Sequence, residues 1–464
     1  MGGSFRNAVE LVGAGRIDPE REISDKPESN GCPEKKLRTQ GSLTIIFLIW
    51  NTATGTSIIT IPWAFAHSGY VLSIVICLIL GGIAFYTCQL VVRVGEKTRA
   101  LEAFAGMRDT FDFQDLVELH LGRKWRVVAC FFSILVLWAI IAEFWIFLST
   151  FLQQMGIFVY GYVWQKDSRN CSLFHNSSGR VLIINRENVT GTCYWDSTLD
   201  VRTDPVFDNI NKLMLYKRMS SAGAFSVAVV IVFVVVKAGI WGIHMDIEVV
   251  DNGIRLADIY FPVVCGISSQ SYFVHNSILA LTSAHKYPSR KVRDVGIAYA
   301  LIAATYILVG LAYYVCFPGG KKQISDNVLD VIERGDYFAF ITIVLLTLKL
   351  VFTIPLFSYI IKMQFMRSIM RKSEFGYQWT VLTNVIIITV AVLLAMFWPH
   401  VGQLLRFLGA VSGGVFIYIL PGLVYMAVQR KENKLTWYSI LFHSSILLLG
   451  LAIFGLQFSV PFTI

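Results

Sequence analysis

The sequence predicts an all-α polytopic membrane protein. Three observations carry this: ten apolar stretches, a composition too apolar for a soluble fold, and small polar residues placed inside two of the stretches. Of 464 residues 55% are hydrophobic and 15% charged, the balance of a helical bundle in lipid and not of a water-soluble core. Windows long enough to cross roughly 30 Å of hydrocarbon lie near 43–66, 71–94, 127–162, 221–242, 260–282, 295–317, 337–360, 378–398, 404–428 and 439–462. The third holds no turn chemistry beyond Gly156, so it is read as one long tilted helix.

Before the first window, residues 1–41 are polar and rich in Gly, Glu, Lys and Arg. They lack the apolar core of a cleavable signal, so the first helix is expected to direct insertion and the tail to be disordered and cytosolic. The net charge of +9 comes with no nucleic-acid motif. Topology explains it better, because Lys and Arg accumulate in cytoplasmic loops.

The first window is interrupted. Asn51-Thr52-Ala53-Thr54-Gly55-Thr56-Ser57 sits in its middle. Backbone that leaves the helix at bilayer depth is tolerated only where protein buries it or a cavity receives it. The expectation is a broken helix around a solute site, with Thr52, Ala53, Thr54, Gly55, Thr56 and Ser57 binding the substrate. Free N–H groups near Gly55–Ser57 suit a carboxylate, and carbonyls near Asn51 and Thr52 suit a cation or an ammonium.

The second interruption lies in 260–282. Pro262 is followed by Gly266-Ile267-Ser268-Ser269-Gln270-Ser271 and Tyr272-Phe273-Val274-His275-Asn276. Paired broken helices point to an inverted-repeat transporter with a midplane site. Ser268, Ser269, Gln270, His275 and Asn276 are candidate cavity or gate residues, against the simpler role of packing for His275.

Topology disagrees with the count of ten. The segment 163–218 carries sequons at Asn170, Asn176 and Asn188, three together marking a luminal or extracellular loop. A Cys171–Cys193 disulfide is expected there. With one crossing at 221–242, every later basic loop falls on the wrong side: Lys286 to Arg293, Lys362 to Lys372, and Arg430 to Lys434. One extra crossing before Lys217-Arg218 repairs them all, yet nothing in 163–218 is apolar for long enough. A helix of the parent architecture is therefore inferred to be missing, as in a splice or gene-model variant. The alternative is a nonstandard topology.

Trp50-Asn51-Thr52-Ala53-Thr54-Gly55-Thr56-Ser57-Ile58 with Ile61-Pro62-Trp63, then Lys237-Ala238-Gly239, Phe273-Val274-His275-Asn276 and Leu435-Thr436-Trp437 resemble the amino acid/auxin permease superfamily. The resemblance runs from about Ser42 to the C-terminus, apart from the region before Ser221. It implies a LeuT-type fold of eleven helices, of which the fourth is absent here. It also implies amino-acid binding at the first break, and a Na+ held by Asn51 and a Thr of the eighth family helix, for which Thr353 is the nearest counterpart. Ala53 and Thr54 stand where the family pattern carries methionines, which implies a pocket of different size.

Two function classes follow from the resemblance. One is a secondary transporter of arginine or neutral amino acids, with Na+ or H+ as candidate coupling ion, in a lysosomal, late endosomal or plasma membrane. The other is a non-transporting sensor that reports through a cytosolic complex to the target-of-rapamycin pathway. No phosphate loop, catalytic triad or metal-ligand spacing stands out, so neither an enzyme nor a bound cofactor is expected.

Three smaller expectations complete the reading. Glu143 and Lys349, near mid-span, are candidates for a mutual ion pair, while Lys237 is placed to snorkel. Residues 112–122 read as a short interfacial helix ending at Gly122. Cys77, Cys88, Cys130, Cys265 and Cys316 read as small core residues.

Overall fold

The first apolar window folds as two helices, α1 (Ser42–Ala53) and α2 (Ser57–Ser68), bent by 57° across the residues between them. The computed structural model describes residues 40–104, 112–164, 171–176, 180–185, 213–245, 254–330, 336–365, 377–398 and 400–461. The tail, Asn170, Asn188 and Cys193 lie outside the described residues.

Helices occupy all the other windows. They are α3 (Tyr70–Phe104), α5 (Arg123–Trp164), α6 (Leu213–Trp241), the pair α7 (Pro262–Ser271) and α8 (Ile278–Ser283), α9 (Lys291–Cys316), α10 (Tyr337–Phe365), α11 (Tyr377–Phe397), α12 (Val401–Ser412) continuing through a π-helical stretch into α13 (Leu420–Lys431), and α14 (Trp437–Leu456). Among the described residues, seven helices are long and apolar enough to cross a membrane, and α1 with α2 makes an eighth if counted as one span. The other two windows hold the interrupted pair α7–α8 and the shorter apolar run Val381–Phe397. Large apolar side chains such as Phe47, Leu78, Val232, Phe397 and Leu441 are exposed, as lipid-facing positions are.

One departure from helix is a hairpin of β1 (Cys171–Asn176) and β2 (Arg180–Asn185), within the segment read as a glycosylated loop. The interfacial helix forms as α4 (Phe113–Leu121). Asp112 and Asp115 make a reciprocal capping box at its start, satisfying two donors a helix N-terminus leaves open. Gly122 ends it at φ +95°, a conformation other residues rarely hold. Of the five cysteines named above, Cys77, Cys88, Cys130 and Cys265 are buried, and all five are unbonded to one another.

Helix directions follow from side-chain contacts. On α5, Phe144 stacks on Phe357, and Phe158 stacks on Phe340 and meets Tyr337 edge-on, so α5 runs antiparallel to α10. On α6, Ser226 donates to the Leu345 carbonyl, Phe233 meets Phe338, and Lys237 pairs with Asp336. That helix is also antiparallel to α10. Consecutive spans α5 and α6 therefore run parallel, and the chain between Trp164 and Leu213 has to return from one face of the bundle to the other. No helix among the described residues makes that passage. The same directions put the basic loops on one face: Gln40 bonds to Ala284 and Lys286, and Lys97 pairs with Glu432.

Two expectations about charge are corrected. Glu143 and Lys349 do not pair, because on antiparallel helices Phe144 lies level with Phe357, eight residues or about 12 Å along the axis from Lys349. Lys237 does not snorkel into solvent either. It is 8% exposed, held by Asp336 and by the Trp241 ring 5.9 Å away.

The face opposite the basic loops is closed by the α9–α10 connection. Its Val328 N–H donates to the Ile59 carbonyl of α2, Asp326 accepts from the Gly402 N–H at the start of α12, and Asp330 accepts from Gln154 of α5 at 2.8 Å. Burial, with the Asp326 carboxylate alongside, pushes the Asp330 carboxyl up to about 7.

Candidate functional site: two broken helices and a cavity

The two broken helices lie side by side and antiparallel. At one end Gln40 N–H donates to the Ala284 carbonyl, joining the start of α1 to the end of α8. At the other, Asp258 N–H donates to Ser68, and the Ser68 hydroxyl donates to Tyr260, joining the end of α2 to the start of α7. Close contact along α7 depends on glycine: a Cβ at Gly409 of α12 would stand 1.9 Å from the Gly266 carbonyl oxygen, so only the bare backbone fits.

At the first break, the helix ends in Thr54, whose N–H and hydroxyl both return to the Trp50 carbonyl. The chain then bends through Gly55 and Thr56 before α2 begins. The first N–H groups of α2 have no helical carbonyl behind them, so the positive end of the half-helix dipole is presented here. Tyr306 of α9 bridges the break: its hydroxyl donates to the Ala53 carbonyl at 3.1 Å and lies 2.7 Å from the Ser57 hydroxyl. Trp50 donates to Thr305 on the same helix.

The break opens on a cavity of about 350 Å³. Thr52, Ala53, Gly55, Thr56 and Ser57 line it, with Gln270, Phe273, Val274 and Asn276 from the second break. Thr54 does not; it is fully buried on the opposite side of the turn. The wall is completed by Ile140, Glu143 and Phe144 of α5, by Phe357, Ile360 and Gln364 of α10, and by Asp112 and Gln114. The last two lie on the side of the basic loops, to which α4 is tied by the bond from Lys431 to the Leu119 carbonyl. The cavity thus reaches from the break toward the basic face.

The second break is filled differently. His275, fully buried, holds Thr87 through Nε2 at 3.0 Å and lies outside the cavity lining, packed between helices. Ser268 lies against Cys77 and Ser269 against Tyr418. Gln270 accepts from Ser412, while Asn276 donates to Ser133 and accepts from Gln114. Gln270 and Asn276 alone of the five proposed gate residues reach the cavity.

The two residues assigned to a cation do not line the cavity. Asn51 packs against Gly223 of α6, and the Thr353 hydroxyl donates to the Lys349 carbonyl of its own helix. Sequence reasoning also missed two cavity or break groups and gave a third the wrong partner. Tyr306 carries no signal beyond being a tyrosine in an apolar helix, and Gln114 lay in a segment read as structural only. The third, Glu143, accepts a hydrogen bond from the Thr56 hydroxyl at the break.

Comparison with known proteins follows this geometry. The sequence pattern of the family described as "Transmembrane amino acid transporter protein" matches residues 38–175 and 206–463. The chain belongs to that family. Relatives include "Neutral amino acid transporter 9" of Danio rerio, 28% identical over 441 residues, covering 89% of this chain and 79% of the relative. "Sodium-coupled neutral amino acid transporter 9 homolog" of Caenorhabditis elegans is 29% identical over 455 residues, covering 90% and 73%. More distant is "Amino acid transporter AVT3A" of Arabidopsis thaliana, 20% identical over 388 residues, covering 82% and 80%. The family match stops at 175 and resumes at 206, inside the connection between the parallel helices α5 and α6. A family of transporters fits a protein that is not an enzyme.

Proposed function

We propose that this protein is a secondary active transporter that carries an amino acid across its membrane by alternating access around the α1–α2 break. The observation that carries the reading is the break itself: the N–H groups that open α2 at Gly55–Ser57 lie beside a cavity, with carbonyls ending α1 across from them. An amino acid brings a carboxylate and an ammonium, and leaving either unpaired at this depth costs several kcal/mol. The two half-helix ends supply partners of both signs. The fold is LeuT-type, with α1–α2 and α7–α8 as the first and sixth helices of two inverted repeats. The cavity's reach toward the basic face makes this the inward-open state.

The parallel course of α5 and α6 supports the inference that the fourth helix is missing between Trp164 and Leu213. Luminal sequons and a Cys171–Cys193 disulfide belong to the same reading, with a lysosomal or late endosomal membrane as its compartment. Asn51, Thr353 and the carbonyls ending α1 are hard oxygen donors of the kind that suit Na+. The hydroxyl of Thr353 keeps its lone pairs free to face a cation, since its O–H donates to the Lys349 carbonyl.

Flux of arginine and of glutamine into proteoliposomes, with and without sodium, tests the reading. Saturable uptake that Gly55→Val removes is the expected result. Binding without flux identifies a sensor, and neither binding nor flux overturns the site.

A further inference from the structure

Among the described residues, Glu143 is the carboxyl group in contact with the break, where Tyr306 is the phenol. It is 2% exposed, lines the cavity, and accepts a hydrogen bond from the Thr56 hydroxyl. Among the described residues no lysine, arginine or histidine lines that cavity, and its other acidic group is Asp112 at its mouth. A carboxylate buried at membrane depth without a cation is costly, and such groups recur in membrane proteins as carriers of protons.

We propose that Glu143 is a proton-binding site that couples a proton to amino-acid movement, and that Thr56 is the group the proton and the amino acid share. This rests on the reading of the break as the amino-acid site. When Glu143 is ionised, the Thr56 hydroxyl is held by a charge-assisted hydrogen bond, the strong kind. When Glu143 takes a proton, that acceptor weakens and Thr56 is released to the substrate carboxylate at the start of α2. Proton binding therefore raises amino-acid affinity, and by reciprocity bound amino acid raises proton affinity. One proton enters Glu143 from the closed-off face in the outward-open state. The same proton leaves toward the basic face once the substrate has gone, so no bond is made or broken besides O–H.

The surroundings hold no rival for this role at the break. On the elements packed against α5, Asp115 and Glu118 of α4 are engaged by Arg126, and His120 lies against Thr98. On α10 the titratable groups are Lys349, Tyr359 in the cavity wall, and Lys362 and Tyr337 toward the two ends; α11 has none among its described side chains. Arg406 of α12 donates to the Val460 carbonyl, and Tyr306 of α9 is engaged at Ala53 and Ser57. Asp330 reaches α5 only at Gln154, eleven residues or about 16 Å along the helix from Glu143.

Binding of tritiated arginine and glutamine to the purified full-length protein, measured from pH 8 to pH 5, tests the proposal. Wild type is expected to tighten at least about fivefold as pH falls, the lower range of allosteric couplings. Glu143→Gln is expected to hold one affinity at every pH. Thr56→Val flattens the profile as well, whereas Thr56→Ser and Asp330→Asn keep its slope. A thermal-unfolding scan of each variant separates loss of coupling from loss of fold. Binding with no pH dependence in wild type, or an unchanged slope in Glu143→Gln, overturns the coupling while leaving the amino-acid site standing. Absence of binding in wild type at every pH overturns both. Uptake into proteoliposomes carrying a pH-sensitive dye gives the second measure: inward proton movement that Glu143→Gln abolishes is expected, and unaltered proton movement in that variant overturns the proposal.

Discussion

The two broken helices look alike in sequence and serve different ends. At the first break the interrupting residues are short: Gly55, Thr56 and Ser57 bring three bare or hydroxyl-bearing positions beside open space, and no atom lies within 4 Å of where a Cβ on Gly55 would stand. At the second the interruption is Tyr272 to Ser277, and its larger polar groups are already engaged, His275 by Thr87 and Asn276 by Ser133 and Gln114. A break that turns the N–H groups of a half-helix toward a cavity has the chemistry to bind an anion. One that satisfies them internally makes a wall, and the comparison separates a binding break from a supporting one.

The largest effect is expected where the supporting break is clamped. Gly409→Ala sets a methyl group 1.9 Å from the Gly266 carbonyl oxygen and 2.8 Å from the Gln270 nitrogen, backbone atoms that cannot swing aside. Overpacking of this severity costs about 3 kcal/mol, and thermal unfolding in detergent should show a large drop. An unchanged melting temperature would mean that α7 and α12 are free to part, and the second break would then be mobile instead of supporting.

Gly55→Val probes the binding break with the opposite outcome. The added side chain meets empty space, so stability should hold, but it fills the cavity where substrate approaches the backbone. Amino-acid affinity is expected to fall at least thirtyfold, about 2 kcal/mol, by equilibrium binding. Tyr306→Phe sharpens the same point from the far side of the turn. It removes the hydroxyl that ties Ala53 to Ser57, and a lost buried hydrogen bond costs about 1–1.5 kcal/mol. Binding should weaken about threefold, about 0.7 kcal/mol, with the remainder of the effect in stability.

Much of this was legible in the chain. A Thr/Gly run inside an apolar window announces a broken helix, because lipid allows unpaired backbone nowhere else. The charge pattern of the loops asks for a crossing that no apolar stretch in 163–218 supplies, and the described helices α5 and α6 run parallel. What stayed illegible was azimuth. Sequence places Glu143 and Lys349 at similar depth but says nothing of which neighbour each faces, and one faces the break while the other sits two helical turns off. Thr54 was grouped with Thr52 and Thr56 for the same reason: composition marks the turn, and only the bend decides which hydroxyl looks inward. Gln114 was hidden differently, since the first turn of a surface helix gives no sign that a cavity ends against it.

The smallest expected effect lies on the closed face, where the α9–α10 connection seals the cavity from the side opposite the basic loops. Asp330 there is pushed up to about 7 from 3.8 by burial and by the neighbouring Asp326 carboxylate. A carboxyl whose affinity for the proton is higher folded than unfolded contributes stability that is fully present below the unfolded value and is lost as pH rises through the folded one. The seal over α2, α5 and α12 is therefore firmest in acid and loosens as pH climbs from about 4 through about 7. Asp330→Asn keeps an oxygen to accept from Gln154 but does not titrate. The melting temperature of wild type should exceed its own value at pH 8 by a few degrees at pH 5, on the order of 1 kcal/mol after discounting for partial exposure, and the variant should lose that part of the slope. If the variant keeps the full slope, the acid stability comes from elsewhere. The first break would then be closed off by packing at Ile59 and Gly402 alone, without a proton-sensitive latch above it.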